Sequence, residues 1–221
     1  MFAEQFAGLK AFYRRAEVVH KGPYTWHTEG EGLFVPSSLD NLLKCFSELI
    51  EEGVLDISKP FVDAGSGDGR VVALANLLGF PAYGFENDSV LAYRSAGYLE
   101  ELARDGVLDG VPRKIVRGRF GGPLNYKHKL GVPVEEVGTF FNYINNENAI
   151  ARLVEEHASP WAKFLLYLPN QDHPDFPGLT HLKRKHAFDE SEHPPQVKSR
   201  MVWDKTEICD LRQGFVHVYG K

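Results

Sequence analysis

The chain has 221 residues, 43% hydrophobic and 25% charged, with a formal net charge of −5. That length and balance suit one globular domain with a full core, and a pI near 6.0 argues against a general nucleic-acid binder. Cys45 and Cys209 form no Cys-x-x-Cys pair, which argues against a disulfide framework or a zinc site. No apolar run approaches a membrane span, and Met1–Gln5 does not open a secretion signal, so a cytoplasmic location is expected.

Phe2, Phe6, Leu9, Phe12 and Tyr13 recur at helical spacing and predict an amphipathic helix over residues 2–17. Glycines and Gly22-Pro23 then punctuate a loop holding Tyr24, Trp26 and Phe34, which reads as pinned to the core or as a wall of a site. Ser37 or Ser38 caps the next predicted helix, whose apolar face is Leu39, Leu42, Leu43, Phe46, Leu49 and Ile50. Strands are expected at 60–64, 82–85, 114–117, 137–143 and 163–168, with helices at 71–78, 87–104 and 147–156 between them. Residues 170–199 show no clear period, and 200–203 and 214–219 read as two closing strands. Alternating strands and helices predict a three-layer α/β fold with a mostly parallel sheet, and the closing pair predicts an antiparallel C-terminal strand. Residues 1–36 are expected to form a helical extension packed on a domain spanning 37–221.

The most informative stretch is Asp63-Ala64-Gly65-Ser66-Gly67-Asp68-Gly69-Arg70, followed by Glu86-Asn87 at the end of the next strand. Glycines let backbone approach a ligand, and an acid at the second strand end suits ribose hydroxyls. Nicotinamide-binding loops read Gly-x-Gly-x-x-Gly, but here Arg70 stands where that third glycine would fall. Asp63 would repel a phosphate and could place an ammonium group. A ligand with a ribose, an amino-acid end and no phosphate fits better. The stretch resembles motif I of the class I methyltransferases that use S-adenosyl-L-methionine (SAM), whose sheet has seven strands. The resemblance implies that Asp63, Ala64, Gly65, Ser66, Gly67, Glu86 and Asn87 hold SAM. The family often carries an acid after the third strand, where this chain has Arg119; Phe120 beside it is a candidate to stack on adenine.

After the fourth strand comes Asn142-Tyr143-Ile144-Asn145-Asn146. Its amides and phenol suit positioning of a neutral amine for in-line attack, and Asn145 or Asn146 suits a helix cap. Neither the Asn-Pro-Pro-Tyr motif nor a nucleophilic cysteine is present there. Phe34-Val35-Pro36-Ser37 ahead of the glycine loop is similar to a segment lining the SAM pocket of non-SET, seven-strand protein lysine methyltransferases. That resemblance implies methyl transfer to nitrogen with a protein lysine as leading acceptor; RNA or a small molecule is the alternative, and a non-catalytic SAM-binding protein is the reading from another class. His173, His181, His186 and His193 are too irregularly spaced to predict a metal site, and Lys183-Arg184-Lys185 reads as a solvated face.

Overall fold

The computed structural model describes residues 2–19, 26–27, 33–143, 146–168, 173–186 and 215–221. In chain order the elements are α1 (Phe2–Val19), β1 (Trp26–His27), β2 (Leu33–Phe34), α2 (Leu39–Glu51), β3 (Phe61–Ala64), α3 (Arg70–Leu77), β4 (Ala82–Glu86), α4 (Ser89–Arg104) and β5 (Arg113–Arg117). There follow α5 (Pro123–Asn125, continued by a π-turn over Tyr126–Leu130), β6 (Thr139–Tyr143), α6 (Glu147–His157), β7 (Lys163–Leu168), β8 (Thr180–His186) and β9 (Phe215–Gly220). Seven strands form one sheet in the order β5-β4-β3-β6-β7-β9-β8. β9 runs antiparallel to β7 and β8, and the other six strands are parallel.

Helices on both faces bury the central strands on both sides, so β3 is wholly buried and reads as a continuous apolar run around Asp63. One core layer joins α1, α2 and α3 to Phe61, Phe141, Val216 and Val218. The other joins Val62, Phe85, Tyr126 and Phe140 to α6 and Phe164. Ser38, not Ser37, caps α2, its hydroxyl accepting from the Asn41 N–H at 3.4 Å, and Gly53 follows that helix with φ 70°. α1 brings Leu9, Phe12 and Tyr13 into the core, and the Phe12 and Tyr13 rings meet Tyr98 of α4.

The C-terminal region departs from expectation. β8 lies inside the segment read as aperiodic, because its Thr-His-Leu-Lys-Arg-Lys-His run offers little apolar alternation. Its lysines are not simply solvated: Lys183 pairs with Glu52, and Lys185 lies 3.0 Å from Glu48 and 2.5 Å from Glu52 of α2. β9 is the expected antiparallel C-terminal strand, and it inserts between β7 and β8. The strand expected at 200–203, along with Tyr24, Asn145 and His193, lies outside the described residues.

Candidate active site

Strand order reverses between β3 and β6, and loops at the carboxyl ends of the strands around such a point form a crevice. The glycine turn, Glu86, the loop after β5 and the end of β6 all lie there. The turn is fixed from below: the Gly65 and Ser66 N–H groups donate to the Phe85 carbonyl at 2.9 and 2.8 Å, and the Gly69 N–H donates to the Ser66 carbonyl at 2.8 Å. Gly67 has φ 53° and lies under the Phe34 ring, so any Cβ there would run into that ring. Phe34 therefore walls the loop. Val35 and Ser37 are buried beside it, and Pro36 is half-buried.

Glu86 is 7% exposed, and its two oxygens reach opposite ways. Oε2 accepts from the Gly67 N–H at 2.7 Å, and Oε1 accepts from the Asp88 N–H at 2.8 Å. Asp88 in turn caps α4, accepting from Val90 and Leu91 at 2.9 Å, while Asn87 beside it is exposed. Burial raises the Glu86 carboxyl above its usual range, and the N–H bonds from Asp88, Gly67 and Asn87 pull it back. A carboxylate offers about four lone-pair sites, so room remains for a hydroxyl. Ser66 Oγ is buried and finds no hydrogen-bond partner among the described residues.

Three buried acids surround this turn, and each is treated differently. Asp68 is matched by Arg70: Nη2 lies 2.7 Å from its carboxylate, and Nε bonds both oxygens at 3.1 Å. The same guanidinium reaches Glu17 of α1 at 2.8 Å, donates to the Ser37 carbonyl at 3.4 Å and lies over the Tyr13 ring. Arg70 thus ties the N-terminal helix and the Val35–Ser37 segment to the glycine turn. Glu86 is held by backbone N–H groups. Asp63 is 2% exposed, and its carboxyl is raised well above the usual range by burial first, then by the charges of Glu86 and Asp68.

At the end of β6, Asn142 is fully buried, and its Nδ2 donates to the Ala64 carbonyl at 2.6 Å. It ties β6 to the residue that starts the glycine turn. Tyr143 is half-buried, with its ring centroid 4.9 Å from that of Tyr167. Asn146 is the first residue of the α6 cap and takes a left-handed conformation, φ 55°. Truncation by Asn142→Ala orphans a buried carbonyl and is expected to cost about 1–3 kcal/mol in chemical denaturation. An unchanged midpoint would contradict the tie between β6 and the turn.

Phe120 is half-buried against the second core layer, and Arg119 beside it is exposed. Sequence reasoning missed the Arg70 hub and the buried position of Asn142; the arginine closing the glycine motif was the available signal for the first. His181 and His217 meet at 3.3 Å, and His173 stacks on His181, but among the described residues no group of three His, Cys, Asp or Glu is arranged to hold a metal. No helix among them is long and apolar enough to cross a membrane. A cleft of about 610 Å³ lined by Lys59, Gly138, Trp161 and Lys163 lies at the opposite, amino-terminal end of the strands.

No protein-family model matches the chain, and no curated protein matches it in sequence. Solved structures do match it. MtNAS in complex with S-adenosylmethionine is 11% identical with a TM-score of 0.53; the match covers 81% of this chain and 62% of that one. An RNA methyltransferase from Salinibacter ruber in complex with S-adenosyl-L-homocysteine is 16% identical with a TM-score of 0.47, covering 83% of this chain and 92% of that one. The strand order, with its single antiparallel strand β9, is that of the Rossmann-like class I methyltransferase fold, and the chain has that fold.

Proposed function

We propose that this protein is a SAM-dependent methyltransferase acting on a nitrogen acceptor. The observation that carries the reading is the direct bond from the Gly67 N–H to Glu86 at the point where strand order reverses. It joins the two parts of a nucleoside site that lie 19 residues apart. Glu86 receives the ribose hydroxyls, with Asn87 beside it. Gly65, Ser66 and Gly67 pack backbone against the amino-acid end, with Phe34, Val35, Pro36 and Ser37 as a wall, and Phe120 lies toward the adenine.

Asp63 supplies the charge that holds the ammonium end. Its carboxyl is raised by burial first and by neighbouring acids second, so a cation beside it favours the charged form. The sign follows from that direction. A carboxyl raised on folding favours the folded state below its unfolded pKa, and this contribution is lost as pH rises through the folded one. The ligand-free Asp63→Asn protein is therefore expected to melt higher than the parent at alkaline pH, with the gap closing as pH falls, and to lose most of the stabilisation that SAM gives the parent. A variant stabilised by SAM as strongly as the parent would contradict the assignment.

SAM supplies a methyl group on a positively charged sulfur, and the acceptor's lone pair displaces the thioether. The chain's own part is positioning. Asn142 sets the end of β6 against Ala64, and Tyr143 presents a phenol and an aromatic face to the cation that forms on the acceptor. The acceptor proton leaves to solvent. A protein lysine as acceptor is supported by the resemblance of residues 34–37 and 63–70, which concerns the cofactor side of the site. RNA and small molecules remain the competing acceptors. The test is incubation with methyl-labelled SAM and separate pools of protein, RNA and metabolites. Label in one pool, lost in Tyr143→Ala, supports catalysis; tight SAM binding with no label in any pool supports a non-catalytic SAM-binding protein.

A further inference from the structure

Between Asp109 and Glu135 the chain carries Arg113, Lys114, Arg117, Arg119, Lys127 and Lys129 and no acid. The rest of the molecule is therefore more acidic than the net −5 suggests. These six residues are spread over the edge strand β5, the loop after it and the α5 region, and all are exposed except Arg113, which is half-buried. The segments are stitched together by their own amines: Lys114 Nζ donates to the Lys129 carbonyl at 2.6 Å, and Lys129 Nζ donates to the Arg117 carbonyl at 3.0 Å. Arg113 likewise donates to the Asp109 and Val111 carbonyls.

Elsewhere several cations meet carboxylates, as Lys10 meets Asp40, Arg70 meets Asp68 and Lys185 meets Glu48. Among the described residues none of these six forms an ion pair with a carboxylate. Edge strands carry charge to block pairing with other sheets, which accounts for Arg113, Lys114 and Arg117. It does not account for Arg119, Lys127 and Lys129 beyond the strand, nor for the lack of acids among them. Glu100 of α4 lies across a cleft of about 520 Å³ that Arg113 and Lys114 also line.

The basic edge leads to the candidate active site. Arg117 is the register partner of Glu86, and the Gly118 N–H donates to the Glu86 carbonyl at 2.8 Å. We propose that this edge docks the phosphodiester backbone of a nucleic acid and delivers it to the crevice as the methyl acceptor, in place of a protein lysine. The delivery step rests on the methyltransferase reading; the docking does not. Cations unmatched by carboxylates on an otherwise acidic molecule make a local attractor for a polyanion, and such steering is independent of base sequence.

The test is anisotropy of labelled single-stranded RNA and DNA of one sequence, with polyglutamate as a third probe, between about 50 and 200 mM salt. The expected result is binding that weakens with salt, to RNA or DNA in preference to polyglutamate. In Arg117→Gln/Lys127→Gln, each lost contact is expected to flatten the log–log salt slope by about 0.7 for a single strand. The same variant is to be titrated with SAM and melted. Unchanged SAM affinity and melting, with weaker RNA or DNA binding, support the surface. A parent that binds no oligonucleotide, or a folded variant that binds as the parent does, overturns it, and equal binding of polyglutamate transfers the surface to an acidic protein. Oligonucleotide binding without SAM binding would leave the surface standing and remove the methyltransferase reading instead.

Discussion

Arg70→Ala is expected to be the most destabilising single change at the site, by about 3–5 kcal/mol. Asp68 is 1% exposed and takes its charge compensation from Arg70 through Nη2 and Nε. Removing the guanidinium leaves that carboxylate buried without its partner. It also unties Glu17 of α1 and the Ser37 carbonyl from the glycine turn. For a chain of this size the loss corresponds to a fall of roughly 10 °C in melting temperature. Arg70→Lys keeps the charge but not the fork, so it is expected to recover only part of the loss. Glu17→Gln removes the half-exposed partner and is expected to cost less than about 1 kcal/mol. The pattern separates a buried hub from an ordinary surface pair: if Glu17→Gln and Arg70→Ala cost the same, the compensation of Asp68 is not what Arg70 does.

The largest effect on binding is expected from Glu86→Ala. That change removes the acceptor of the Gly67 and Asp88 N–H groups and the proposed acceptor of the ribose hydroxyls. Losing hydrogen bonds to a charged, buried acceptor costs about 3 kcal/mol, or roughly 100-fold in SAM affinity. Glu86→Gln keeps the shape but turns an amide donor toward one of the backbone donors, so it is expected to fall nearly as far. The pH dependence has a defined sign. The Glu86 carboxyl is raised by burial, so it takes up a proton at higher pH than a free glutamate. SAM affinity is therefore expected to fall as pH drops into that raised range. Wild-type affinity in Glu86→Ala would remove the ribose assignment.

What was legible in the sequence was what is local. The glycine turn and the acid that ends β4 follow from a short run whose chemistry demands glycine and carboxylate at set places. α2 and β7 follow from apolar periodicity, and β7 is found where expected, at Lys163–Leu168. What was not legible depends on partners distant in sequence. The Arg70–Glu17 pair spans 53 positions, and the Asn142–Ala64 bond spans 78. β8 has a charged, weakly apolar run, and it is held by β9 on one side and by Glu48 and Glu52 of α2 on the other. The basic edge was hidden because its cations are divided among a strand, a loop and a helix, none of which carries a charge run long enough to stand out.

The central claim is that the glycine turn and Glu86 form a SAM site. The most direct measurement is calorimetric titration of the purified chain with SAM and S-adenosylhomocysteine, with NAD as the control. The account predicts micromolar binding of both SAM-type ligands and none of NAD. Failure to bind either, or a preference for NAD, would contradict it and would remove the roles given to Asp63, Glu86 and Tyr143 together.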